Sequence, residues 1–198
     1  MPTPFLTVAI LAGGAASRLG GRDKGLELID GTPLVARARA YCERAIAHDF
    51  DFLIIANRHI DEYARYGRVR ADAIEGFRGP LAGVASALEG SAATLVLTLP
   101  VDCPSPPEDL ATRLLEALGD RDAAVAHDGE RRQPLFALYR NALAASAASA
   151  AASGQGVWEW QDSIGAVEVD FADRRQQFHN LNTPEEFAAY ADAVRQRD

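Results

Sequence analysis

The sequence predicts an α/β protein: one domain of three layers, with helices on both faces of a mostly parallel sheet. Three observations carry this expectation. The run at 7–11 is continuously apolar and partly β-branched, the pattern of a strand covered on both faces, and 50–56 and 94–99 read as further strands, with 94–99 the stronger signal. Helical patterns separate those runs, and alternating strands and helices pair in parallel. Gly13-Gly14, Asn57, Asp72 and Asp102 stand just after strands, where such sheets bind ligands beyond their carboxyl ends. The 198 residues suit a single domain of this class, with no internal repeat and no interdomain linker.

Taken in order, the first strand is the apolar run 5–12, followed at once by a glycine-rich segment. Thr32-Pro33 opens a helix with a cap residue and a first-turn proline, and Leu34, Ala38, Tyr41, Cys42 and Ala45 supply its apolar face. A strand at 50–56 ends at Asn57, and a weaker one at 69–71 ends at Asp72. Gly79-Pro80 precedes a helix over about 81–89. The strand at 94–99 runs into Asp102, after which Pro104, Pro106 and Pro107 set up a helix over about 108–118 with acidic residues in its first turn. Strands are expected at 123–127 and 135–139 around the turn Asp128-Gly129. The Ala/Ser-rich stretch 141–153 reads as a thinly packed helix. A late strand at 167–169 and a final helix capped by Thr183-Pro184-Glu185-Glu186 complete the series.

Composition excludes several classes of function. Lys+Arg 20 against Asp+Glu 28 gives a net charge of −8, which argues against a broad footprint for nucleic acid or an anionic membrane. Cys42 and Cys103 are the two cysteines, and with no CxxC or Cys/His cluster neither a disulfide scaffold nor a zinc site is indicated. The N-terminal apolar run is too short to span a bilayer and lacks a basic n-region. A cytoplasmic protein is expected.

One segment departs from the acidic background. Residues 11–24, Leu-Ala-Gly-Gly-Ala-Ala-Ser-Arg-Leu-Gly-Gly-Arg-Asp-Lys, place four glycines, Arg18, Arg22 and Lys24 in a loop leaving the first strand. Glycine lets successive backbone N–H groups close around an anion; Arg18 can clamp phosphate in a fork, and Lys24 serves as a mobile point charge. The spacing matches neither G-x-G-x-x-G nor the P-loop, so dehydrogenases and Walker-type ATPases lose ground.

That loop, continued through Gly-Leu-Glu-Leu-Ile-Asp-Gly-Thr-Pro-Leu34, closely resembles the signature of the molybdenum cofactor guanylyltransferases. Asn57-Arg58-His59, Asp72, Gly79-Pro-Leu-Ala-Gly83, Leu99-Pro-Val-Asp-Cys-Pro104, Gln133-Pro-Leu-Phe-Ala-Leu138 and Asn180-Leu-Asn-Thr-Pro184 follow in that family's order along nearly the whole chain. The resemblance implies a Rossmann-like nucleotidyltransferase fold, with a nucleotide half at about 1–105 and a pterin half at about 106–198. It implies an enzyme that joins GMP from GTP to the terminal phosphate of molybdopterin and releases pyrophosphate. Carried over by position, it puts GTP on Leu11, Ala12, Gly13, Gly14, Lys24, Asp72 and Asp102, Mg²⁺ on Asp102, and catalysis on Arg18, Lys24 and Asp102. The family has Asn where Ile55 stands; Asn57 or backbone alone is expected to replace that contact. Asp23 before Lys24 favours guanine over cytosine, because the related cytidylyltransferases lack the Asp-Lys pair.

The residues support the same roles on chemical grounds. Transfer at an α-phosphorus leans on positioning and cations, and Mg²⁺ takes one or two carboxylates plus phosphates and waters. Asp102 suits that task; its competing reading is the N-cap of the next helix. Asp72 could accept the N–H groups of guanine. Gly79, Gly83, Asn180 and Asn182 are candidates for the pterin, each with a competing reading as a helix start, turn or cap residue. Trp158 and Trp160 read as core or helix-face residues before stacking ones, Cys103 as packed, and His59, His127 and His179 as scattered. A monomer is expected, in transient contact with molybdenum-insertion proteins and apo-molybdoenzymes. The alternatives are transfer of another nucleotide, a sugar-phosphate acceptor, or a noncatalytic molybdenum-cofactor carrier.

Overall fold

The computed structural model describes residues 5–13, 23–47, 49–71 and 79–196. Gly14, Arg18, Arg22 and Asp72 therefore lie outside the described residues.

The chain begins with β1 (Leu6–Leu11), passes through a 3-10 turn at Lys24–Leu26, and forms a small hairpin from β2 (Leu28–Ile29) and β3 (Thr32–Pro33). Helix α1 (Leu34–Ala45), β4 (Phe50–Ile55), the short α2 (Ile60–Tyr63), β5 (Arg68–Arg70) and α3 (Pro80–Gly90) follow. Next come β6 (Leu95–Pro100), α4 (Leu110–Leu118), β7 (Ala123–His127) and β8 (Arg132–Arg140). The chain closes with α5 (Ala144–Ala152), α6 (Val157–Ser163), β9 (Val167–Asp170), a 3-10 stretch at Ala172–Phe178 and α7 (Pro184–Arg195).

Seven strands make one sheet in the order β5-β4-β1-β6-β8-β7-β9. Every neighbouring pair is parallel except those made by β8, which runs against both β6 and β7. The chain moves outward from β1 to β4 and β5, then returns across α3 to β6 on the other side of β1. The order reverses there, and a crevice opens between strand ends at such a switch point. Leu11 pairs with Ile55 on one side and Pro100 on the other, so the loops after β1, β4 and β6 leave the sheet side by side.

Two apolar layers flank the sheet, as continuously hydrophobic strands require. One face carries Val8, Ile10, Ile54 and Leu97 against Leu34 and Val35 of α1, Leu110 and Leu114 of α4 and Ala191 of α7. The other carries Ala9, Leu53, Ile55 and Val96 against Leu81, Val84 and Leu88 of α3, the small residues of α5 and Trp160 of α6. The Ala/Ser helix is thus a packed element: Ala147, Ala150 and Ala151 are buried, and their small size lets α5 approach α3.

Most expected elements form within one or two residues of their expected ends, with some corrections. Thr32-Pro33 is the second strand of the hairpin, and α1 starts only at Leu34, without a side-chain cap. The turn between the hairpin strands is Asp30-Gly31, with φ of 49° and 75°, the positive values that a tight two-residue turn demands. Helix α4 begins at Leu110 with no acidic residue in its first turn. Asp102 therefore stands eight positions upstream and is not its N-cap. Strand β8 is longer than expected, and α6 and the 3-10 stretch before α7 have no counterpart in the sequence reading. The Thr183 cap forms as expected: Thr183 Oγ1 accepts from the Glu186 N–H, and Glu186 reaches back to the cap backbone.

Fully buried Thr98 fastens the end of β6 to the start of β8. Its hydroxyl donates to the Leu135 carbonyl at 2.9 Å and lies 3.3 Å from the Ala137 carbonyl. Thr98→Val keeps the shape and deletes the donor. It is expected to lower unfolding free energy by about 1–2 kcal/mol, measured by urea denaturation.

Candidate active site

The site is built where β1 and β6 end. After Leu11, the Ala12 N–H donates to the Ile55 carbonyl at 2.9 Å, and the Val101 N–H donates to the Leu11 carbonyl at 3.2 Å. These bonds prolong the parallel pairing one residue past the strands and bring Gly13 and Asp102 to the same edge. Pro100 closes β6, and the Cys103 N–H donates to its carbonyl at 3.4 Å. Val101 and Asp102 thus form the centre of a tight turn that lifts the Asp102 carboxylate above the sheet. Cys103 points inward: it is 2% exposed, its thiol donates to the Gln177 carbonyl, and burial pushes its pKa up to about 12. It is packed rather than reactive.

Lys24 meets Asp102 from the opposite side. Its Nζ donates to Asp102 Oδ2 at 2.9 Å and to Asn182 Oδ1 at 2.7 Å. Three segments 78 and 158 residues apart in sequence converge on one ammonium. Both charged side chains remain partly exposed, and ion pairs of that kind contribute about 0–1 kcal/mol. Stability therefore does not account for the arrangement. It leaves a cation and a carboxylate at the mouth of the crevice, within reach of an anionic ligand.

The backbone beneath Lys24 is fixed by Asp23, which the sequence reading used only to separate neighbouring families. Asp23 caps the 3-10 turn by accepting from the Gly25 N–H at 3.3 Å, and Tyr63 Oη donates to the same oxygen at 2.5 Å. Tyr63 is fully buried, and burial first, then its bond to Asp23, drives its pKa far above the ordinary phenol value. It remains a donor at any physiological pH. Gly25 has no room for a side chain: a Cβ there would lie 2.2 Å from Tyr63 Oη.

The C-terminal segment closes the site from the other half. The Leu181 N–H donates to the Asp102 carbonyl at 2.8 Å, placing Asn182 beside Lys24. Asn182 Nδ2 donates to the Asn180 carbonyl at 3.1 Å, while Asn180 Oδ1 is buried with no hydrogen-bond partner among the described residues. Gly79 is the N-cap residue of α3 at this same edge, and Gly83, one turn on, faces Leu11, with room for a Cβ 3.5 Å from Leu11 Cδ2. Ile55 ends β4 beside Leu11, with its side chain buried in the α3 layer, whereas Asn57 is exposed two residues on. Trp160 is core, tilted against Tyr139. Trp158 is exposed, under the Arg132 guanidinium. His59 and His127 make local hydrogen bonds, and His179 lies 3.8 Å from Glu186.

Among the described residues no three or more His, Cys, Asp or Glu side chains cluster as metal ligands. A lone carboxylate beside an anion site fits Mg²⁺, which binds through one or two carboxylates, retained waters and substrate phosphates. The contact between Lys24 and Asp102 Oδ2 shows that this oxygen already accepts a cation.

A cationic loop after the first strand and a carboxylate across the switch point define a nucleotidyltransferase. The comparisons agree: residues 8–167 match the family described as MobA-like NTP transferase domain. The chain is 41% identical over 203 residues to a molybdenum cofactor guanylyltransferase from Burkholderia vietnamiensis, covering 96% of this chain and 97% of that protein. It is 37% identical over 196 residues to the Shewanella loihica protein of the same name, covering 97% and 98%. Among solved structures, molybdopterin-guanine dinucleotide biosynthesis protein A from Archaeoglobus fulgidus superposes with a TM-score of 0.78 at 19% identity, over 97% of this chain and 100% of that one. A cytidylyltransferase from Thermus thermophilus shares the fold at a TM-score of 0.67 and 18% identity, over 94% and 98% of the two chains. The chain belongs to the molybdenum cofactor guanylyltransferase family.

Two predictions follow from how Lys24 and Asn182 are held. Tyr63→Phe removes a donor from buried Asp23 and is expected to cost about 2 kcal/mol, whereas Gly25→Ala, which forces backbone against Tyr63, is expected to cost more; thermal unfolding ranks them. Glu186 is held below the usual carboxylate range by the N–H groups of Asn182 and then Thr183. A depressed folded pKa contributes stability above the unfolded value, roughly 4.3, which disappears as pH falls through the folded one. Glu186→Gln should therefore be less stable than the parent at pH 7, with the gap closing under acid titration of the melting temperature.

Proposed function

We propose that the chain transfers GMP from GTP to the terminal phosphate of molybdopterin. The observation that carries this reading is the Lys24–Asp102 contact at the β1/β6 switch, in a chain whose family is named for that transfer. A phosphate oxygen of the acceptor attacks the GTP α-phosphorus in line. One P–O bond forms, the bond from the α-phosphorus to the bridging oxygen breaks, and pyrophosphate leaves with the electron pair. Charge grows on nonbridging and leaving oxygens, so fixed cations supply much of the rate.

Each residue has a place in that scheme. Leu11, Ala12 and Gly13 offer backbone at the end of β1, and Gly14 and Arg18, which follow in sequence, are assigned to the triphosphate. Lys24 neutralises the triphosphate, and Asp72, after β5, accepts the guanine N–H groups. Asp102 holds Mg²⁺, which when bound withdraws charge from the phosphate oxygens. On the pterin side, Asn180 Oδ1, without a partner among the described residues, is an acceptor suited to a ring N–H, and Asn182 adjoins it. A cleft of about 370 Å³ lined by Asp128, Arg131, Arg175 and His179 opens beside this segment, on the half assigned to the acceptor. Gly79 and Gly83 lie where the two halves meet. Among the described residues no helix is long and apolar enough to cross a membrane. The reading further proposes a monomer in the cytoplasm that hands its product to molybdenum-insertion proteins and apo-molybdoenzymes.

Purified protein given GTP, Mg²⁺ and molybdate-loaded molybdopterin is expected to form the guanine dinucleotide and release pyrophosphate, with CTP a poor substitute. Absence of both products where a known guanylyltransferase succeeds would refute the reading, and pyrophosphate release separates it from a carrier. Lys24→Ala should lower kcat by about 10²–10³. Asp102→Ala should abolish turnover with an unchanged far-ultraviolet circular dichroism spectrum, and chelation should silence the parent until Mg²⁺ is restored.

A further inference from the structure

We infer that Asn182 is a positioning residue for the transfer: its side-chain carbonyl holds the Lys24 ammonium toward the nucleotide without cancelling its charge. The inference rests on the proposed function in one respect only, that Lys24 serves the triphosphate.

An ammonium carries three donors and no acceptor. Among the described residues one N–H of Lys24 goes to Asp102 and one to Asn182, so that a third is left for an anion. The amide orientation is fixed by its neighbours: the atom facing an ammonium must accept, and the atom facing the Asn180 carbonyl must donate. Of the two anchors, Asp102 is charged and is also the carboxylate suited to Mg²⁺. Asn182 is neutral and a poorer match for a hard cation, so it can hold Lys24 when Asp102 is otherwise engaged. A carboxylate in its place would put two negative charges on one lysine and reverse the local field where a polyphosphate has to bind.

Asn182 is itself fastened from three directions. Its N–H donates to Glu186 Oε2 at 2.5 Å, an oxygen that also accepts from the Thr183 N–H at 3.0 Å. Its Nδ2 is tied to the Asn180 carbonyl, and Leu181 next to it is bonded to the Asp102 backbone. The side chain is thus referred both to the first turn of α7 and to the turn carrying Asp102. A flexible four-carbon lysine gains from such an anchor, because positioning of a charged group is lost when its side chain wanders.

The sequence supplies an unusual probe. Lys24 is the single lysine of the 198 residues, so amine acylation followed by peptide mass spectrometry reads Lys24 alone, the α-amino group falling in a separate peptide. In full-length protein without nucleotide, Asn182→Ala is expected to raise the Lys24 acylation rate at least five-fold. In the guanylyl transfer assay it should lower kcat ten-fold or more while changing KM for GTP less than three-fold. Asn182→Asp restores an acceptor and adds a charge that favours the ammonium: it should keep acylation at or below the parental rate yet weaken metal-free GTP binding at least five-fold. Thr183→Ala, which loosens the cap of α7 without touching Lys24, should leave acylation unchanged.

Unchanged acylation in Asn182→Ala overturns the inference. So does a Thr183→Ala protein that reproduces the Asn182→Ala changes, since the effect would then run through the helix cap. Should Asn182→Ala fail to fold, Asn182→Asp carries the test, and parental GTP affinity in that variant overturns the inference. Acylation needs no nucleotide, so the expected acylation pattern in a protein inactive with GTP would uphold the anchoring and reject the guanylyl reading.

Discussion

The ammonium of Lys24 is the meeting point on which the site depends. It is reached by three segments that share no local sequence: the loop after β1, the turn after β6 and the stretch before α7. Each is held by a different device. Asp23 and Tyr63 fix the first, the backbone bonds linking Leu11 with Val101 and Asp102 with Leu181 fix the second, and the Glu186 carboxylate, which accepts from the Asn182 N–H, fixes the third. None of these contacts is large on its own. Together they bring a cation and a carboxylate to the mouth of a crevice that the strand order had already opened.

The charge balance of the chain sharpens that picture. At −8 overall, the surface repels polyanions in general, and long-range attraction contributes little to capture of a nucleotide. In the proposed reading, affinity for a triphosphate comes from short-range donors: the backbone after β1, the Lys24 ammonium and a cation on Asp102. Neutrality at Asn182 matters for this reason, since one more carboxylate there would extend the general repulsion into the site. The sequence sets Arg18, Arg22 and Lys24 together against that acidic background.

Much of the fold was legible because its strands are hydrophobic on both faces, a pattern that needs helices above and below and so reads directly as a parallel sheet. Strand β7 and the capped α7 matched because their signals are local: a short apolar run before a glycine turn, and a Thr-Pro-Glu-Glu opening. What escaped was set by tertiary contact. Thr32-Pro33 carries a helix-opening signal yet pairs with Leu28-Ile29, although Asp30-Gly31 between them is a hairpin signal visible in the sequence. Helix α6 is seven residues long and is held by burial of Trp160, which propensity does not register. At the site, Asp102 stood out by its place after a strand and Lys24 by its glycine-rich loop, and the folded chain sets the two together. Tyr63 did not stand out, because its role comes from a contact forty residues away with Asp23. Asn182 was a candidate for the pterin, and only the folded chain shows that its partner is Lys24.

The central claim is that one nucleotide site forms around Lys24 and Asp102. A crystal structure of the protein with GTP and Mg²⁺ tests it most directly. The account predicts triphosphate oxygens within hydrogen-bond distance of Lys24 Nζ, the Lys24–Asn182 contact retained, and Asp102 as a ligand of the metal. A nucleotide bound elsewhere, with Lys24 still paired to Asp102 and neither touching phosphate or metal, would contradict it.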